Sequence, residues 1–288
     1  MKTIDKLGLQ MLSEIIMESI STSGIYCFGE KKQSQTVQNP FQETASVQEE
    51  HTHFYILVFA NEYVINAVTD ISDIIKTKTE GRYTVTLLLH KATTVQHLAP
   101  HQLYFYHEVI TKGNKIYEHE NVPPNIAFDE TPKRQIKYLR SHWNNRNIVA
   151  ETFLRSLRHV DYTDYGFVQE SMMHIAIEQT CLGLIDVFLG YRPDHFSLPY
   201  LFDLCEIFTP LASDLFPRTT IEDKRLFDLL KANTSALRWV NLKKSCIVDT
   251  EFLEKRSNLF HERACRLIES ELERLETLEL NRQSNGNK

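Results

Sequence analysis

The apolar pattern of this chain changes its period once, at Pro123-Pro124, and that change limits what each half can fold into. Before the proline pair, short apolar runs alternate with amphipathic stretches. Residues 2–21 repeat Ile4, Leu7, Leu9, Met11, Leu12, Ile15, Ile16 and Ile20 at helical spacing. The pattern then predicts a strand over 24–28, a long polar surface loop over 30–52, and a strand in "HFYILVFA". A helix over 63–79 stopping at Gly81 follows, then a strand in "RYTVTLLLHK", a helical stretch over 95–112 bent at Pro100, and a final strand in "NKIYEH". Strands alternating with helices imply a small α/β domain over 1–122.

Beyond Thr131 the spacing is helical almost throughout, over 132–160, 165–190, 197–209, 220–240 and 249–280. Such a run of amphipathic helices implies a bundle over 131–288. The expected fold class is therefore α+β in two domains, and no internal repeat relates the halves. With 288 residues of which 42% are hydrophobic, the chain can bury two cores. Its 32 Lys and Arg against 38 Asp and Glu give a net charge of -6, which excludes a broadly basic nucleic-acid coat. Any RNA contact must be local, and no DNA-binding motif is present. The cysteines Cys27, Cys181, Cys205, Cys246 and Cys265 are odd in number and scattered, as expected of thiols in a reducing compartment. Asp5, Lys6, Glu14 and Glu18 make the first helix too charged for a signal sequence or a membrane span, so a cytoplasmic protein without a membrane partner is expected.

The order helix, strand ending in Phe28-Gly29, loop, apolar strand, helix, apolar strand resembles the minimal nucleotidyltransferase fold. In that family a Gly-Ser pair at the end of the first strand holds nucleotide phosphates. An Asp-x-Asp pair opens the next strand and a third Asp lies on the strand after it, so that three carboxylates hold two magnesium ions. Carried over by setting, the glycine falls on Gly29, the serine on Glu30, the Asp pair on His53 and Tyr55, and the third Asp near Thr86. None of the three acid positions holds an acid, and the charge of Glu30 would repel a phosphate. Glu49 and Glu50 lie just upstream and read as solvated loop charges. The resemblance thus implies a pseudo-nucleotidyltransferase that holds no metal and no other cofactor.

The second half resembles a HEPN domain, a helical nucleotide-binding module. The resemblance is carried by "MMHIAIEQTCLGLIDVFLGYRPDHFSLPYLFDL", with His174, Glu178, a Gly190-Tyr-x-Pro193 turn, His195, Leu198 and Leu201. It is also carried by "ALRWVNLKKSCIVDTEFLEKRSNLFHERACRLI", in which Arg238-Trp239 ends one helix before a final long one. This implies nucleotide or RNA binding near His174, Glu178 and Arg238, and a homodimer through the helical half. Some HEPN domains are metal-independent ribonucleases built on an Arg followed four to six residues later by a His, which Arg256 and His261 match in spacing. On one helix, however, these two point about 140° apart.

Each residue also has a plain reading. His174 and Glu178 either bind a nucleotide or form a buried polar pair, and Arg238 either contacts phosphate or caps helix carbonyls. His97 and His101 have the spacing of a zinc pair, but Pro100 breaks the helix between them and no third ligand is near. His51 and His53 read as a solvated strand edge. Three functions follow: a non-catalytic nucleotide- or RNA-binding regulator, a HEPN ribonuclease using Arg256 and His261 in a toxin or stress role, and a purely structural interaction module.

Overall fold

Helix α1 (Lys6–Ser19) begins where the Asp5 carboxylate accepts the Gly8 N–H at 2.9 Å. Its apolar side, with Leu9, Leu12, Ile15 and Ile16, lies on one face of a sheet. The computed structural model describes residues 5–37, 47–63, 65–121, 123–128, 131–160, 167–231 and 246–286. They form a mixed α+β chain dividing into two units, Met1–Lys133 and Arg134–Lys288.

In the first unit β1 (Thr22–Val37) and β2 (Val47–Ala60) pair antiparallel from Thr22 opposite Ala60 to Val37 opposite Val47. After β2 the chain crosses through α2 (Ala67–Lys78) and returns as β3 (Tyr83–Lys91), parallel to β2. β4 (Asn114–Glu118) pairs antiparallel with the other edge of β1, giving the order β3-β2-β1-β4. The period of two then sorts the side chains. Ile25, Cys27, Phe54, Ile56, Val58, Val85 and Leu87 join the core that α1 and α2 cover. Tyr26, Phe28, Tyr55 and Phe59 face the other way, where Phe105 and Tyr106 of α4 (Tyr104–Lys112) meet them ring to ring.

Three expectations for this unit change. The polar stretch 30–52 is not one loop, because β1 runs to Val37 and β2 starts at Val47; Glu49 and Glu50 lie in β2, opposite Gln35 and Ser34. Strand ladders are made by backbone groups, so a run of Gln, Ser and Glu does not preclude pairing. The helix expected over 63–79 starts only at Ala67, after Asn66 in the left-handed region at φ 59°. The stretch 95–112 breaks into α3 (Ala92–Gln96), a 3-10 turn at Pro100–Gln102, and α4. Gly81 does end α2, at φ 77°, with its N–H on the Lys76 carbonyl at 2.8 Å. Residues 123–128 pack on this unit rather than hanging between domains. Phe128 meets His107 at 5.0 Å between ring centroids, and Gln96 Nε2 donates to the Asn125 carbonyl at 2.8 Å.

The second unit is helical: α5 (Ile136–Ser156), α6 (Phe167–Leu189), α7 (Leu198–Cys205), α8 (Leu211–Leu215), α9 (Ile221–Leu230) and α10 (Ile247–Gly286). Thr220 and Asp223 close a reciprocal cap on α9. Helix α6 is central, buried along most of its length, and is the one described helix long and apolar enough to cross a membrane by length and composition. Most of that stretch is buried inside the bundle.

Gly183 lets α5 and α6 approach: a Cβ there would stand 2.4 Å from the buried Trp143 ring. We expect Gly183→Ala to cost about 1–3 kcal/mol in urea unfolding, with partial recovery on adding Trp143→Phe. An unchanged midpoint would contradict this packing.

Candidate functional site

The strand alternation decides which of the transferase-like positions meet. Gly29 pairs with Tyr55 and Thr86 sits beside Tyr55 on β3, so Gly29, His53, Tyr55 and Thr86 share one sheet face. A Cβ at Gly29 would stand 3.0 Å from the Tyr55 ring, so a larger residue there requires the ring to give way. Glu30 is the exception. It pairs with Phe54, on the opposite face, and its carboxylate accepts the Asp5 N–H at 3.3 Å beside the start of α1. It stands away from any phosphate at Gly29, so the repulsion expected of it does not arise at that face.

His53 is not a solvated strand edge. β2 is paired on both sides from Thr52 onward, and His53 is half-buried with Nδ1 2.8 Å from Thr84 Oγ1 and Nε2 2.8 Å from Thr86 Oγ1. His51 Nε2 lies 3.0 Å from the same Thr84 oxygen, and the His53 ring meets Tyr55 edge-on at 4.9 Å. Imidazole and hydroxyl groups thus satisfy one another where the resemblance puts metal-binding carboxylates. Among the described residues no group of three or more His, Cys, Asp or Glu side chains is placed to hold a metal ion.

In the helical unit His174 is buried, and its Nδ1–H donates to the Leu230 carbonyl at 2.9 Å, tying α6 to the end of α9. Glu178 Oε2 lies 3.8 Å from His174 Nε2. Burial pushes the imidazole pKa down and the carboxyl pKa up, so both favour the neutral form. This is a buried polar pair in geometry. Arg238, together with Trp239, lies outside the described residues.

Arg256 and His261 lie on the continuous helix α10 and are not brought together. The Arg256 guanidinium stacks over Phe252, 4.1 Å from the ring centroid. His261 is only 8% exposed and points into the bundle, where its Nδ1–H donates to Thr180 Oγ1 at 2.9 Å; that hydroxyl in turn donates to the Ala176 carbonyl at 2.7 Å. The geometry contradicts a shared catalytic site for this pair within one chain.

A further network escaped the sequence reading. Asp186, buried in α6, binds His142 Nδ1 of α5 at 3.1 Å and Arg192 Nε at 3.3 Å. Burial alone would raise the Asp186 pKa, but the hydrogen bonds and charges of His142 and Arg192 outweigh it and hold the carboxyl below its usual range. Arg146 Nε–H donates to His142 Nε2 at 3.4 Å and its Nη1 to Gln179 Oε1 at 2.8 Å. Arg134 donates to the Asp186 and Val187 carbonyls at the end of α6. The signal was present: a lone Asp in "LGLIDVFL" needs a partner once its helix is buried. Comparison of the sequence with models of known protein families gives no match, and comparison with curated proteins gives none.

Two measurements separate structural from catalytic roles. His261→Ala should cost about 1–3 kcal/mol by leaving Thr180 without its donor, whereas Arg256→Ala should change stability by less than about 0.5 kcal/mol. Burial holds His174 below the ordinary imidazole value of 6.5, so near that pH the unfolded chain binds more protons than the folded one. The His174 contribution to stability is therefore complete above that value and declines as pH falls through it. Urea titrations at pH 7 and pH 5 should show less acid loss in His174→Gln than in the unsubstituted chain; equal losses would contradict the assignment.

Proposed function

We propose that this chain is a non-catalytic nucleotide- or RNA-binding protein, with a pseudo-nucleotidyltransferase unit followed by a HEPN-like helical unit. The observation that carries this reading is the His51–Thr84–His53–Thr86 array, which fills the face where a transferase of this kind holds its metal ions. A ring nitrogen bonded to a threonine hydroxyl is no substitute for a carboxylate toward magnesium, which takes oxygen ligands. Transfer by a two-metal route has no first ligands to begin from.

The binding role rests on the resemblance of the helical unit and on its arginine-rich α5–α6 seam. With a net charge of -6, recognition of an anionic ligand must use a local pocket, so its salt dependence should be shallow. A homodimer belongs to the same proposal. Because α6 is covered, its surface would have to involve α10, where Phe252, Leu278 and Leu280 are exposed.

Calorimetric titration with ATP and with single-stranded RNA should give binding of at least one. Incubation with labelled nucleoside triphosphates and magnesium or manganese should give no incorporation. Metal-dependent incorporation by the purified chain, lost on His53→Ala, would overturn the non-catalytic reading.

A further inference from the structure

A half-buried guanidinium is costly unless an anion or a dense set of acceptors meets it. Among the described half-buried arginines of the helical unit, Arg140 binds Glu269 and Glu276, Arg218 binds Asp203 and Glu206, Arg134 meets the Asp186 and Val187 carbonyls, and Arg256 lies over the Phe252 ring. Arg146 has a different setting. It is half-buried, and its two hydrogen-bond acceptors are His142 Nε2 and Gln179 Oε1, neither of them a carboxylate. Among the described residues no carboxylate lies within ion-pair distance of it; Glu178 feels its charge only from farther away.

The surroundings are set for an anion. Arg146 Nε–H donates to His142 Nε2, and the other ring nitrogen, Nδ1, stands 3.1 Å from Asp186 Oδ2 without hydrogen-bond alignment. The other oxygen of Asp186 is met by Arg192. Arg192 is 37% exposed and uses only Nε in this contact, which leaves its two Nη groups as donors beside the seam. Arg146 likewise retains Nη2. An anion offering several oxygens would take the remaining Arg146 donor, and a phosphate group does so with the geometry guanidinium favours.

We propose that Arg146, with His142 and Arg192 beside it, forms a phosphate-binding site on the α5–α6 seam. The site takes the phosphate of a nucleotide or of an RNA backbone, and in that respect rests on the function proposed above. His142 is a positioning neighbour, and no bond is made or broken there.

The test is titration of the full chain, in EDTA and at fixed ionic strength, with inorganic pyrophosphate, ATP, a short single-stranded RNA and succinate. Arg146→Gln and Arg192→Gln are compared after thermal melts confirm folding, and Arg146→Lys serves should the glutamine variant not fold. We expect pyrophosphate and at least one of ATP and RNA to bind, with at least a tenfold loss in Arg146→Gln and a smaller one in Arg192→Gln. Arg146→Lys should also lose affinity, because it keeps the charge but not the fork. Binding of ATP or RNA unchanged in these variants would overturn the site while leaving the binding function intact. Succinate as tight as pyrophosphate would overturn the phosphate assignment, and no binding of any probe would overturn both.

Discussion

Helix α6 buries most of its polar side chains, and their contacts tie it to its neighbours. His174 reaches the carbonyl at the end of α9, Thr180 receives the His261 N–H of α10, and Asp186 stands 3.1 Å from His142 Nδ1 of α5. Each contact joins α6 to a different neighbour. An unmet donor or acceptor in such a core costs about 1–3 kcal/mol, so a shift of any one helix is penalised beyond its lost apolar contact. Apolar burial makes the bundle compact, and these three contacts select one packing among those that bury similar area.

The sheet of the first unit follows the same rule with a different consequence. Its α1–α2 face is apolar, and much of its other face is aromatic under α4. The rest of that face carries His51, His53, Thr84 and Thr86, bound to one another. A site that holds metal ions keeps carboxylates under mutual repulsion until the metal arrives, whereas this array is already satisfied. Polar groups that satisfy each other give stability to the sheet and offer no coordination to a cation. The ligand site proposed here lies instead in the helical unit, where Arg146 is half-buried and bound to no carboxylate among the described residues.

The elements with strong periodicity were legible in the sequence. Helix α1, β3, α6 and most of α10 lie where the apolar spacing placed them, because that spacing reflects the face each one buries. The outer parts of β1 and β2 were not legible, since their Gln, Ser, Thr and Glu residues show no apolar alternation and the ladder is made by backbone groups. Helix α8, only five residues long, is too short to show a period. At the candidate sites, sequence parity puts His53 and Tyr55 on one face, but that Thr86 joins them is set by the register of β3 on β2. Glu30 fell on the wrong face because a register shift between Cys27 and Gly29 changes the alternation of β1. The Asp186 network joins α5, α6 and the turn after α6, and no local spacing reports which helices meet.

The central claim is that ligand recognition here is independent of metal. Phosphorus NMR of ATP, recorded with the full chain first in EDTA and then with excess magnesium, tests it most directly. The account predicts that the protein broadens or shifts the phosphate resonances in EDTA, and that magnesium is not needed for the effect. Resonances unperturbed in EDTA that respond to the protein only when magnesium is present would contradict it.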